Sequence, residues 1–193
     1  MTHPYIGPSA WVYGSARVSG SAWVYGSARV YGSAQVSDSA RVYGSARVSD
    51  SAWVSDSARV YGSARVYGSA RVSGSGDVRA SRHVLMIGPV GSESRTVTIH
   101  RHYDGPESTS WGHLVVAGCW SGTLDALAAR IAEGGSHGWI AGQDRWRADY
   151  EMLISIARHR AAEWAAERLT DADHARWQAR SEDAATDEAA SCQ

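Results

Sequence analysis

Lysine and phenylalanine are absent from this 193-residue chain, cysteine occurs twice and proline four times. The missing lysine against 19 basic residues, all arginine, and the missing phenylalanine against 9 tryptophans read as the codon bias of a GC-rich genome. They exclude no function. Two cysteines, Cys119 and Cys192, are too few for a disulfide framework, so a reducing compartment, the cytoplasm, is expected. The opening MTHPYIGPSAWV has neither a basic segment nor an apolar one of the kind that directs secretion. No apolar run approaches the roughly 18 residues that would span a bilayer. A formal charge of −1 excludes whole-molecule attraction to nucleic acid or to a membrane.

What is present is a repeat. Valine recurs every six residues from Val12 to Val84, preceded in the same register by Ile6. Alanine stands two places before each valine from Ala10 to Ala70, until Gly76 and Arg82 interrupt the series. Residues two apart point to the same side of an extended strand, so each unit offers one apolar and one polar face. The residue after valine follows a longer period of eighteen: Ser19, Ser37, Ser55 and Ser73 form one series, and Tyr25, Tyr43 and Tyr61 another. A disordered Gly/Ser spacer has no reason to count to eighteen.

This pattern predicts a mainly β fold, a triangular solenoid of three six-residue units per coil and a little over four coils from Ile6 to Val84. Valine and alanine face inward. Gly or Asp two places after valine, followed by Ser, makes each corner, because these residues tolerate strained angles.

The unit V-Y-G-S-A-R resembles the hexapeptide repeat of left-handed β-helix proteins, which include trimeric acyltransferases and γ-type carbonic anhydrases. The resemblance covers about residues 4–88. It implies a left-handed coil and a homotrimer. It carries little information about chemistry.

Outward positions should form ladders. One carries Trp11, Arg29, Arg47, Arg65 and His83 beside Tyr13, Tyr31 and Tyr67. A second carries Trp23, Arg41 and Arg59 beside Tyr25, Tyr43 and Tyr61, and a third Arg17, Gln35, Trp53 and Arg71 beside the serines. Arg47, Arg65 and Tyr67 are the candidates here for an anionic or aromatic ligand. Cation–π contacts and subunit packing account for such faces more simply, so nucleic acid is not the expected partner.

Residues 85–180 read as a small α+β unit that caps the solenoid, and 181–193 as an acidic disordered tail. The segment VLMIGPVGS suggests a short apolar run followed by a turn at Gly88-Pro89 and Gly91. RTVTIHRHY alternates as a strand with Val97 and Ile99 on one side and a solvated face of His100 and His102 on the other. WGHLVVAGCW reads as a second strand, with Cys119 a buried small hydrophobe. Ser121 or Thr123 caps a helix over TLDALAARIAE that ends at Gly134-Gly135. A longer helix is expected from about Gln143 to Leu169, and a short one over TDADHARWQAR. The IGPVGS, RTVTIHR and GCWSGTL segments resemble the tail of uncharacterised hexapeptide-repeat proteins, many of them phage- or prophage-encoded, for which no activity is implied.

Chemistry is thinly signalled. Three histidines spaced across coils, which the carbonic anhydrases require for zinc, are absent. His100 and His102 form a candidate metal pair without an evident third ligand, so no metal or other cofactor is expected. Catalytic candidates are His83, His100, His113 and Cys119. The turn Gly88, Gly91 and Ser92 offers backbone N–H groups to an anion. The leading expectation is a non-catalytic trimeric scaffold or binding protein, whose protein or small-ligand partner meets the C-terminal unit. The alternatives are a ligand-sequestering or inhibitor protein of a mobile element, and an atypical acyltransferase using a histidine base and acyl-CoA.

Overall fold

Thirteen two-residue strands run from β1 (Tyr5–Ile6) to β13 (Asp77–Val78) and wind into a parallel β-solenoid. The computed structural model describes residues 3–91, 94–133 and 144–178. Pairing joins each strand to the one three along in the chain: Trp11 to Arg29, Arg29 to Arg47, and Arg47 to Arg65. The coil therefore has three walls, parallel sheets of five, four and four strands.

The inward pair of each strand makes the core. From Ala22 to Val72 every inward alanine and valine is fully buried, as is Val78. Ala10, Val12, Ala16 and Val18 in the first coil are only partly buried, because no coil lies beyond them. The outermost strand exposes Tyr5 and Ile6.

Corners explain the Gly/Asp alternation. Gly20 sits at φ +65°, and a Cβ there would come within 2.9 Å of the Asp38 backbone in the next coil. Asp38, Asp50 and Asp56 adopt the same left-handed angles. Their carboxylates offset that strain by accepting the N–H of the corner stacked on them: Asp38 from Asp56, Asp50 from Gly68, and Asp56 from Gly74.

The solenoid ends one strand before the valine series does. In place of a fourteenth parallel strand, Ser81–His83 form a single 3-10 turn. The long charged Arg82 occupies the slot of the inward alanine and cannot be housed in that core. Val84 nevertheless packs on the solenoid core, while its backbone opens an antiparallel sheet.

That sheet is a meander of β14 (Val84–Val90), β15 (Arg95–His102), β16 (Gly112–Ala117) and β17 (Trp120–Gly122). The expected turn at Gly88-Pro89 lies inside β14, where a bulge absorbs the proline's missing donor; the chain turns only at Gly91. The expected single strand over WGHLVVAGCW is a hairpin, broken at Gly118, whose φ is +66°.

Helix α1 (Leu124–Ala132) starts at Thr123, whose hydroxyl accepts the Ala126 N–H at 3.1 Å. Helix α2 (Asp144–Ala166) follows, and a third helix, α3, spans 171–178. Leu124, Leu127 and Ile131 of α1 and Leu153, Ala157 and Trp164 of α2 bury against Val97, Ile99 and Val115 of the sheet. The expected Gly134-Gly135 stop and the 181–193 tail lie outside the described residues. Among the described residues no helix is long and apolar enough to cross a membrane.

Candidate functional site

A solenoid that simply stopped would leave the N–H groups of its last coil without partners. Side chains of β15 supply three of them. Thr98, His100 and His102 alternate along one face of that strand and lie against the end of the coil. Thr98 Oγ1 accepts the Arg71 N–H at 3.1 Å, His100 Nε2 the Ser73 N–H at 3.3 Å, and His102 Nε2 the Ser75 N–H at 3.1 Å. The histidine face expected to be solvated is thus an end plate, with His100 fully buried. Burial pushes His100 down to about 4.

A second set of contacts gathers charge around β13. Asp77, fully buried, receives Arg101 at 2.6 Å and the Tyr61 hydroxyl at 3.0 Å on Oδ1. Arg101 also donates to the Asp77 carbonyl, holds Glu167 at 2.8 Å, and lies over the Trp111 ring at 3.9 Å. Arg176 of α3 donates to the Tyr61 hydroxyl at 2.7 Å. Trp177, one residue on, covers the Arg59 guanidinium at 4.3 Å. Burial first, and the Asp77 carboxylate second, hold the Tyr61 phenol well above its ordinary range.

The second ladder is therefore only partly a surface. Its tyrosines stack ring on ring, Tyr25 to Tyr43 and Tyr43 to Tyr61, each pair at 4.9 Å. At its far end α3 buries Arg59 and Tyr61. Cation–π contacts do occur on these faces, Arg41 on Trp23 at 5.5 Å, Arg71 on Trp53 at 5.2 Å and Arg176 of α3 on Tyr61 at 5.3 Å.

Between these contacts lies a cavity of about 470 Å³, lined by Gly62, Ser63, Arg79, Ala80, Arg82, His83, Arg101 and Glu167. His83 has left the first ladder and stands in its wall at 1% exposure. Its Nδ1 accepts the Arg79 N–H at 3.3 Å, which leaves the ring proton on Nε2. That N–H is buried without a hydrogen-bond partner; the nearest acid, Glu167 Oε2, is 3.9 Å away. Desolvation, then the charges of Arg101, Arg82 and Arg79, lower His83 to about 3.

The other candidates lie apart. His113 Nε2 accepts the Leu124 N–H at 3.1 Å, at the start of α1. Cys119, expected to be buried, is an exposed free thiol in the β16–β17 turn, beyond the far end of β16 from His113. Gly88 lies within β14; Tyr150 stands over Gly91, and a Cβ there would meet its hydroxyl at 2.8 Å. Ser92 is outside the described residues. Arg47 and Arg65 pair rung on rung on the outer face of their sheet, and Tyr67 is exposed at the following corner. Among the described residues no three of His, Cys, Asp and Glu are grouped to hold a metal ion.

Sequence reasoning missed Asp77, Arg101 and Glu167. Two signals were present. Asp77 is an acid in a slot that elsewhere in the repeat holds Arg, Trp, Gln, Tyr or His, and Arg101 follows Val97 and Ile99 on the apolar side of β15.

The family model described as the YdcK Beta solenoid repeat matches residues 10–26, 40–56 and 58–74. All three stretches lie in the coils just described. The chain is a β-solenoid repeat protein. The matches fall within its coils, leaving 27–39 and the C-terminal sheet and helices unmatched. No curated protein and no solved structure gives a significant match.

Proposed function

We propose that this β-solenoid protein is a non-catalytic homotrimeric scaffold or binding protein, wound in the left-handed, six-residue-unit form of the β-helix. Its C-terminal unit serves as cap and interaction surface. One observation carries the reading. A neutral imidazole has a single lone pair, and a general base or a metal ligand must offer it. His83, His100, His102 and His113 each give theirs to a backbone N–H, from Arg79, Ser73, Ser75 and Leu124 respectively. These histidines act as structural acceptors, which argues against the acyltransferase alternative and against a His100–His102 metal pair.

Assembly is favoured by the exposed aromatic residues on the outer walls, Trp11, Tyr13, Trp23, Trp53 and Tyr67, which the monomer leaves in contact with water. The likeness of IGPVGS and GCWSGTL to phage-type repeat proteins supports an accessory role in a mobile element.

Native mass spectrometry on protein purified from its own host tests the assembly, because it reports subunit number and retained partner together. A trimer is the expected result, and a monomer would sink the assembly claim. Acetyl-CoA should neither raise the melting temperature nor be turned over. Turnover would overturn the non-catalytic reading.

A further inference from the structure

We infer that the cavity walled by Arg79, Arg82, His83 and Arg101 binds a small oxyanion of the phosphate-monoester class, and that Glu167 occupies this site in the ligand-free chain. This goes beyond the scaffold reading and does not depend on the number of subunits.

The His83 Nε2–H is buried in the cavity wall without a hydrogen-bond partner. Folded proteins rarely leave a buried donor unpaired, and one that faces a cavity is satisfied when something enters. The acid beside it falls short: Glu167 Oε2 stands 3.9 Å off. The rest of the wall specifies the charge of the visitor. Arg79, Arg82 and Arg101 line it with Glu167, and Asp77 pairs with Arg101 from behind, so one positive charge is left over even with both acids ionised.

Glu167 itself shows what the wall prefers. Its carboxylate takes Arg101 at 2.8 Å on one oxygen and Arg82 at 3.4 Å on the other. Held by those two contacts, Oε2 stays 3.9 Å from the His83 Nε2–H, and that buried donor remains unmet. A tetrahedral phosphate presents three terminal oxygens in three directions, enough for Arg101, Arg82 and the His83 N–H together. The volume of about 470 Å³ exceeds what bare phosphate fills and leaves room for a small organic group on the fourth oxygen. His83 participates as a neutral donor, which agrees with its lone pair being held by Arg79.

Isothermal titration calorimetry on the full chain tests this, with inorganic phosphate and glycerol 3-phosphate as probes and malonate as the planar carboxylate comparison. Both phosphates should bind saturably, and malonate several-fold more weakly. Arg82→Gln should weaken phosphate binding by roughly tenfold through loss of one charge-assisted bond. Glu167→Gln should tighten it by a similar factor, because the resident carboxylate no longer competes; a purely structural Glu167 would produce no such gain. Circular dichroism checks that each variant is folded, and if Glu167→Gln is not, Arg82→Gln at an exposed side chain decides alone. Absence of saturable heat up to about 10 mM phosphate overturns the site. Binding indifferent to Arg82→Gln overturns its location, and malonate binding as tightly as phosphate overturns the ligand class.

Discussion

Arg101 holds Asp77 at 2.6 Å inside the protein, joining an inner strand of the cap sheet to the last strand of the solenoid. Both side chains are removed from water, at 3% and 0% exposure. Such a pair adds little over an apolar replacement of both partners, but breaking it strands a charge. We expect Arg101→Met to cost about 3–5 kcal/mol in urea unfolding. The double variant Arg101→Met with Asp77→Asn should recover part of that loss. Additive losses would show that the two residues act separately.

Acid should loosen the same junction. Burial holds His83 at about 3 and His100 at about 4, against an ordinary 6.5. The unfolded chain therefore binds protons at a pH where the folded chain does not. Their contribution is complete above pH 6.5, shrinks as pH falls below it, and is exhausted once the folded values are passed. Between about pH 6 and pH 4 stability should drop by roughly 1 kcal/mol per pH unit for each histidine. Denaturant titrations across that range check the slope, and His100→Gln should flatten its share. An unchanged slope in that variant would contradict the assignment.

The aspartate corners make a finer test. Asp56 sits at φ 55° and accepts the Gly74 N–H at 2.8 Å. Asp56→Ala keeps the strained angle and loses the acceptor, so we expect a cost of about 1–2 kcal/mol. Asp56→Gly relieves the angle and should cost less. The reverse order in thermal unfolding would mean that corner strain is not what selects these residues.

Cys119 should react in the native state. Its thiol lies exposed in a two-residue turn. Maleimide labelling followed by peptide mapping should find Cys119 modified without denaturant. Cys119→Ser should alter stability by less than about 0.5 kcal/mol. Protection of the thiol would place the turn against a partner surface.

Much of this fold was legible from residue spacing. Ala and Val two apart, repeated every six residues, can satisfy one buried face only by coiling, and the eighteen-residue series of Tyr and Ser is the register of neighbouring coils. Thr123 announced its helix because a hydroxyl before an apolar run supplies the N–H groups of the first turn with an acceptor. The fate of the histidines was hidden. His100 and His102 alternate with apolar residues as solvated side chains do, and only docking on Ser73 and Ser75 makes them an end plate.

The absent lysine and phenylalanine determined nothing about shape; the repeat determined the coil, its core and its corners, because those depend on residues near in the chain or at a fixed period. Tertiary structure decided the rest. The cavity at His83 draws on Gly62, Arg82, Arg101 and Glu167, which share no spacing in the sequence. They meet because a charged residue at Arg82 ends the coil and the chain must fold back over its open end.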